Sequence, residues 1–343
     1  MVLTKFRRIP NLIVVAFWLC CGSAFGSVPD FKSQNPQQKN IAETLKQRLQ
    51  AQLQNSRTKP QSSLFFDLPL TYNQKVSQWI NHFQNTGKNW FKSWIERSTH
   101  YMPFIQNELQ QAGLPQDLAF MVMIESGFEA NAISHANAVG PWQFIRPTGE
   151  RYGLKVHWWL DERRDLAKST RAAIRYIKDL YAEFGSWYLV AASYNMGENG
   201  LRRQILKHQT RDFWELSRKG ALPQETIDYV PKILAVMIIT KSPELYGFTN
   251  ITRMIPLSYD LAVVPGGTEL DEIADHLEVT RKSLRDLNAE LLTASIPFSV
   301  AHHTIRIPKG SQRQVAEFLK RSSQRMNVVT QNEDSRPKRP QLQ

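Results

Sequence analysis

The chain has 343 residues, 42% of them hydrophobic and 22% charged, with a formal charge of +12 and two cysteines. That length provides for one large domain and a smaller one. A basic balance of this size suits an anionic polymer or a membrane surface. Both cysteines, Cys20 and Cys21, fall in the first apolar stretch, so the remainder can hold neither a disulfide framework nor a thiolate metal site.

Lys5, Arg7 and Arg8 precede the apolar residues 12–21, and "GSAFGS" follows. A positive start, a short apolar run and small residues at the cut predict a signal peptide over residues 1–26. The run is too short to cross a bilayer, which takes ~20 apolar residues. Removing the leader takes away three positive charges and no acids, leaving +9. A lipid anchor is the alternative, but Leu19 before Cys20 and Cys20 before Cys21 do not supply the small residue such a site needs. Export, together with the absence of a concentrated Lys/Arg run in the body of the chain, argues against nucleic acid as the partner.

Residues 27–62 are rich in Gln, Asn, Lys and Ser and predict a polar linker, with a short polar helix conceivable over 41–53. Residues 63–247 read as helical and aromatic. Val76, Trp79, Ile80 and Phe83 share helical spacing, as do Trp90, Phe91, Trp94 and Ile95. Stripes of this kind are core more often than sugar platforms. Further helices are predicted around 99–111, 117–125, 168–184, 187–196, 200–207 and 226–240. No Gly-rich phosphate loop occurs, the histidines lack zinc-ligand spacing, and His302 and His303 sit in a stretch that reads as loop. Neither a metal nor an organic cofactor is expected.

After Thr249 the pattern changes to strand ("SYDLAVVP"), helix ("ELDEIADHL"), helix ("RKSLRDLNAEL") and strand ("HTIRIP"). That predicts a small βααβ module over 253–309. Residues 310–343 read as a C-terminal helix and a polar, disordered tail.

One carboxylate stands out. In "FMVMIESGF", Glu125 ends an apolar run that Gly127 then terminates. A solvent-facing helix end is the ordinary explanation. In a buried helix, however, desolvation and the negative end of the dipole would both raise its pKa. A general acid working near neutrality needs that shift. Downstream, "SHANAVGPWQF" supplies Ser134 and Gln143, "AASYNMGENG" supplies Tyr194 and Asn195, and "ETIDYVPKILA" supplies Tyr229. Hydroxyls, amides and aromatic rings are the groups that bind sugars.

As an ordered set, "IESGF", "GPWQF", "DERRDLAKSTRAA", "AASYN" and "ETIDYVP" resemble the lytic transglycosylase catalytic domain of the soluble, goose-lysozyme-like type. The preceding "WFKSWIERSTHYMPFIQNELQQAGLPQDLAF" brings the resemblance nearest to the membrane-bound lytic murein transglycosylase D group. The resemblance implies a mainly α fold, with a lysozyme-like helical domain followed by the βααβ module. It makes Glu125 the sole catalytic acid/base, lines the site with Ser134 and Gln143, and places Tyr194, Asn195 and Tyr229 on the sugar. Ser126 is expected to support the turn, and Asp161, Arg163 and Asp165 to form a hydrogen-bonded loop. Relatives often carry Ala-Gly after the serine; this chain has His135-Ala136-Asn137.

The implied reaction is non-hydrolytic cleavage of the MurNAc-GlcNAc β-1,4 bond of peptidoglycan glycan strands, leaving 1,6-anhydro ends. The alternatives are a hydrolytic muramidase of the same fold and a non-catalytic wall-binding protein. Ordinary glycosidases use two carboxylates; Glu129, Glu150, Asp161, Glu162, Asp165 and Glu198 are the acids that could provide a second. The module resembles a divergent LysM unit, in which Gly266-Gly267-Thr268 stands where Gly-Asp-Thr is usual. Its role is expected to be either glycan binding or packing. The expected place of work is the periplasm or outer membrane of a Gram-negative bacterium, with peripheral association to membrane or wall.

Overall fold

The computed structural model describes residues 66–322. The expected signal peptide, the expected polar linker with its conceivable helix, and the expected terminal tail therefore lie outside the described residues. The helical region comprises α1 (Gln74–Gln84), α2 (Lys88–Gln111), α3 (Phe120–Ser126), α4 (Arg146–Arg151), α5 (Leu166–Phe184), α6 (Trp187–Met196), α7 (Glu198–His208), α8 (Phe213–Arg218) and α9 (Gln224–Lys241). Among the described residues no helix is long and apolar enough to cross a membrane.

Helix α9 is apolar on nearly every side: Ile227, Val230, Ile233, Leu234, Val236, Met237 and Ile239 are all buried. Such a helix is stable only where other elements surround it, and α1, α6 and α3 do so. The stripes Val76/Ile80/Phe83 and Phe91/Trp94/Ile95 face the same core, and Phe83 stacks on Phe91 at 4.7 Å. The helix starts follow their side chains. Asn73 accepts the amide of Val76 at 3.1 Å, Asp165 that of Lys168 at 2.9 Å, and Asp212 that of Glu215 at 2.7 Å.

Several expectations are revised. The aromatic stripe and the helix expected at 99–111 are one helix, α2, which runs through Pro103. A proline inside a helix costs about 3 kcal/mol, but Phe91, Ile95, Met102, Ile105 and Leu109 are buried along this one axis, each worth about 1.5–3 kcal/mol. The helix expected at 117–125 splits into a 3₁₀ turn, Gln116–Ala119, and α3. Asp67, far away in sequence, accepts the amides of Gln116 and Asp117 at 2.6 and 2.9 Å and tightens that turn. Asp117 reciprocates on the Asp67 amide and pairs with Lys241 at 2.6 Å. Helices α4 and α8 were not anticipated; each has only six residues, too few for a period to show.

The small module follows, with β1 (Tyr259–Pro265), α10 (Leu270–His276), α11 (Arg281–Leu287) and β2 (His302–Pro308). The strands pair antiparallel, Tyr259 opposite Pro308 and Pro265 opposite His302. His302 and His303 are thus in a strand, not a loop, because the pairing captures them. Val264, Ile273, Leu284, Ile305 and Ile307 form a separate apolar cluster. Buried Asn288 ties α11 to β2, accepting the Arg306 amide at 2.7 Å and donating to the Arg306 carbonyl at 2.8 Å. A helix over 312–322 closes the described chain.

The module docks on the segment between α4 and α5. The Asp161 amide donates to the Glu290 carbonyl, and the Leu292 amide to that of Trp159, both at 2.8 Å. At the centre the buried Arg306 guanidinium pairs with Glu290 at 2.7 Å and with Asp165 of the α5 cap. Burial pushes the Glu290 carboxyl up, while Arg306 pulls it down. Removing one partner of a buried ion cluster strands the others, at about 3–5 kcal/mol. Arg306→Met should therefore lower stability by about 3–5 kcal/mol in urea unfolding. A loss below about 1 kcal/mol would mean that the cluster does not hold the junction.

Candidate active site

Helix α3 explains where Glu125 comes to rest. Phe120, Met121, Val122 and Met123 are buried and Ile124 is half-buried, so the helix is sunk in the core. Gly127 ends it at φ 56°, and a Cβ there would collide with the Trp94 indole, so only glycine fits. Ser126 does support the turn: its hydroxyl donates to the Pro141 carbonyl at 2.9 Å and accepts the Phe128 amide at 3.1 Å. Arg97 donates to the Gly127 carbonyl at 2.7 Å.

Glu125 is 5% exposed. The Tyr229 hydroxyl, on α9, donates to its Oε1 at 2.5 Å. Burial pushes the carboxyl from 4.5 up to about 7; the Tyr229 bond and the Lys232 charge pull it down, and the Glu225 charge adds to the rise. The solvent-facing reading of this residue is excluded by that burial. Tyr194 and Tyr229 are both held well above the usual phenol range, by burial first and by the neighbouring Glu125 charge second. Both therefore stay neutral O–H donors.

The other candidates lie on α6, which carries Tyr194 and Asn195, and on the loop that follows α3, which carries Ser134 and Gln143. The Tyr194 hydroxyl donates to the Trp142 carbonyl at 2.7 Å. Asn195 accepts from Thr226 at 2.7 Å, one turn of α9 before Tyr229, and its Nδ2 has no partner among the described groups. Gln143, at φ 49°, donates from Nε2 to the Gly140 carbonyl at 2.8 Å, and its buried Oε1 is likewise without a partner. A buried polar atom left unpaired costs about 1–3 kcal/mol, and both of these atoms lack a partner among the described residues. Ser134 differs: its hydroxyl accepts the Ala136 and Ala138 amides at 3.2 and 2.9 Å and shapes its own loop. No hydrogen bond links Ser134 or Gln143 to Glu125 among the described residues.

That loop is held from behind. A Cβ at Gly140 would collide with the Arg163 carbonyl. The Arg163 guanidinium pairs with Asp161 at 2.7 Å and donates to the carbonyls of Asn137 and Phe144, each at 3.1 Å. Trp142 is fully buried and donates to Thr170 at 2.9 Å, so it is core and not a sugar platform.

Every acid considered as a second carboxylate is ion-paired: Glu129 with Arg97, Glu150 with Arg146, Asp161 with Arg163, Glu162 with Lys168, Asp165 with Arg306 and Glu198 with Arg151. At Glu198, burial pushes the carboxyl up, but Arg151 and Tyr176 outweigh it and hold it below its ordinary value. The acid whose charge does reach Glu125 is Glu225 on α9. Neither it nor Lys232 was singled out in sequence, although both lie within one turn of Tyr229, and that spacing was the available signal. A lone buried acid, kept protonated near neutrality beside a fixed phenol, can donate a proton and then take one back.

Two family models match the chain: Transglycosylase SLT domain over residues 102–217, and Lytic transglycosylase MltD, LysM-like domain, over residues 259–324. The membrane-bound lytic murein transglycosylase D of Escherichia coli (strain K12) is 33% identical over 228 residues, which are 65% of this chain and 49% of that protein. An Alteromonas sp. (strain M-1) protein named for tributyltin chloride resistance is 38% identical over 117 residues, 34% of this chain and 56% of its own. The chain thus spans about half the length of the curated relatives it matches. The solved structure of an inactive mutant of lytic transglycosylase Slt from Pseudomonas aeruginosa covers 44% of this chain and 24% of its own, at 19% identity and a TM-score of 0.34, a likeness too slight to argue from. The chain carries a transglycosylase SLT domain followed by an MltD-type LysM-like domain, and is a homologue of membrane-bound lytic murein transglycosylase D.

Proposed function

We propose that this chain is a peptidoglycan lytic transglycosylase with Glu125 as its only acid/base. The observation that carries the reading is a buried carboxyl, raised to about 7 and held at 2.5 Å by a neutral phenol, at a position inside the residues that match the transglycosylase SLT domain. Protonated Glu125 donates to the oxygen bridging N-acetylmuramic acid and N-acetylglucosamine as the bond from that oxygen to the anomeric carbon breaks. The substrate's acetamido group stabilises the developing cation. The muramoyl 6-hydroxyl oxygen then bonds to the anomeric carbon, and its proton passes to the Glu125 carboxylate. Acid and base are one residue, water is not consumed, and the enzyme ends as it began.

Tyr229 orients the carboxyl. Gln143 Oε1 and Asn195 Nδ2 meet sugar hydroxyl or acetamido groups, Tyr194 fixes the loop edge through Trp142, and Ser134 lines the site by shaping the same loop. Residues 63–247 are assigned to catalysis and 253–309 to the LysM-like module, which packs on the catalytic part and faces the same polymer. Export through the leader at 1–26 brings the enzyme to the wall, at the periplasm or outer membrane.

Glu125→Gln should abolish release of anhydro-ended muropeptides from purified sacculi, by at least about 10³-fold, as read by mass spectrometry. Reducing ends in the wild-type digest would replace this reading with a hydrolytic one. Undiminished anhydro release by the variant would end it.

The acid form of Glu125 starts the reaction, so kcat/KM should fall as pH rises through about 7. Tyr229→Phe removes the bond that favours the ionised form, so it should move that limb to higher pH while lowering kcat about 10–100-fold. An unmoved limb would detach Tyr229 from the titration.

The same carboxyl makes stability depend on pH. Its folded pKa lies above the unfolded 4.5, so folded protein holds the proton more tightly and loses stability as pH rises from 4.5 to about 7. Glu125→Gln escapes this loss, worth about 3 kcal/mol for a rise of this size. Its melting temperature should therefore exceed the wild type's at pH 8 and approach it below pH 5. Equal pH dependence of the two proteins would refute the buried, titrating acid.

A further inference from the structure

Lys232 is given no contact with substrate above, yet its charge already bears on the catalytic carboxyl. It follows Tyr229 by three residues on α9, which puts the two on one face, about 5–6 Å apart between Cβ atoms. Its side chain is half-buried, and its ammonium sits over the Trp79 ring, 4.4 Å from the centroid. Its charge reaches Glu125 on one side and His82 on the other.

A helical lysine ordinarily pairs with an acid four residues before it. Here that acid, Asp228, is already engaged. Its Oδ1 accepts from Lys75 at 3.1 Å and its Oδ2 from Gln224 at 2.7 Å. Among the described residues no carboxylate stands within ion-pair distance of Lys232. Burial lowers the ammonium's pKa, and the Asp228, Glu225 and Glu125 charges oppose that only from beyond ion-pair distance. A cation half out of water, backed by an aromatic face and lacking a counter-ion, is an unfavourable arrangement for the free protein. A ligand carboxylate relieves it, because the ammonium is then paired where water is scarce.

Building on the transglycosylase reading, we propose that Lys232, seated on Trp79, is the subsite for a carboxylate of the glycan substrate, immediately beside the bond that Glu125 cleaves. Two parts of peptidoglycan carry that chemistry: the lactyl group of N-acetylmuramic acid when no peptide is attached, and the stem peptide itself. The pair therefore selects for an acidic strand over a neutral one, and acts on binding more than on turnover.

The test measures binding of three probes to full-length Glu125→Gln protein by titration calorimetry. The probes are peptide-bearing strands, amidase-stripped strands with free lactyl carboxylates, and stripped strands with those carboxylates capped as methylamides. At least one carboxylate probe should bind about tenfold more tightly than the capped one, and which does so names the source of the acid. Adding Lys232→Met should erase the preference, whereas Lys232→Arg, which keeps the charge and serves as the folding control, should retain it. A preference that survives Lys232→Met, a capped probe that binds as well as the others, or no binding of any probe would overturn the assignment. Turnover of the same probes by protein with Glu125 intact reports separately on the reaction: a preference lost with Lys232 but without anhydro ends would sink the transglycosylase reading and leave a carboxylate-binding site.

Discussion

The hydrogen bond from Tyr229 to Glu125 sets two opposing demands against each other. Burial drives the carboxyl toward its neutral form, and the phenol, which donates best to an anion, draws it back. Neither effect alone would leave the acid near neutrality. An unopposed desolvated carboxyl would hold its proton too tightly to release it, and an exposed one would lose it well before pH 7. The distance has to be kept, and the framework is arranged to keep it. Helix α9 is locked by apolar contacts with α1, α6 and α3, so the phenol cannot drift. Helix α3 ends under Trp94 at a glycine that no other residue could replace without strain, so the carboxyl cannot either.

Around this pair the structure separates groups that hold the scaffold from groups that remain uncommitted. Arg163, Asp161, Ser126 and Ser134 are fully engaged in loop carbonyls and amides. Gln143 Oε1 and Asn195 Nδ2 are not. A folded protein seldom leaves such atoms buried and idle; Asn195 neighbours Tyr194 on α6, and Gln143 sits in the loop whose Trp142 carbonyl Tyr194 holds.

Much of this is legible in the sequence. An apolar run ending in Glu125 and Gly127 marks an acid at a helix end, with burial and exposure both open until the downstream motifs are added, and the βααβ pattern announces the module. The boundaries of 187–196 were read correctly because Trp187 and Gly197 punctuate them. What escaped depended on partners distant in the chain. The 3₁₀ turn at 116–119 is imposed by Asp67, and continuity of α2 through Pro103 by burial along its whole length. The role of Ser134 changed for a similar reason: its hydroxyl meets amides two and four residues on, which only the loop's own path brings within reach. Lys232 lay in a quoted motif, but its significance rests on Asp228 being occupied by Lys75, 153 residues away.

The ion cluster at Arg306 has a further corollary. Its acids come from both parts, Asp165 from the cap of α5 and Glu290 from the loop after α11. A module on a flexible tether can be exchanged for another with little energetic penalty. This one cannot, because a foreign replacement without the arginine would leave a desolvated acid facing the segment that braces Gly140 and Gln143. The two halves are therefore coupled energetically at this seam: removing a charge on one side strands its partner on the other.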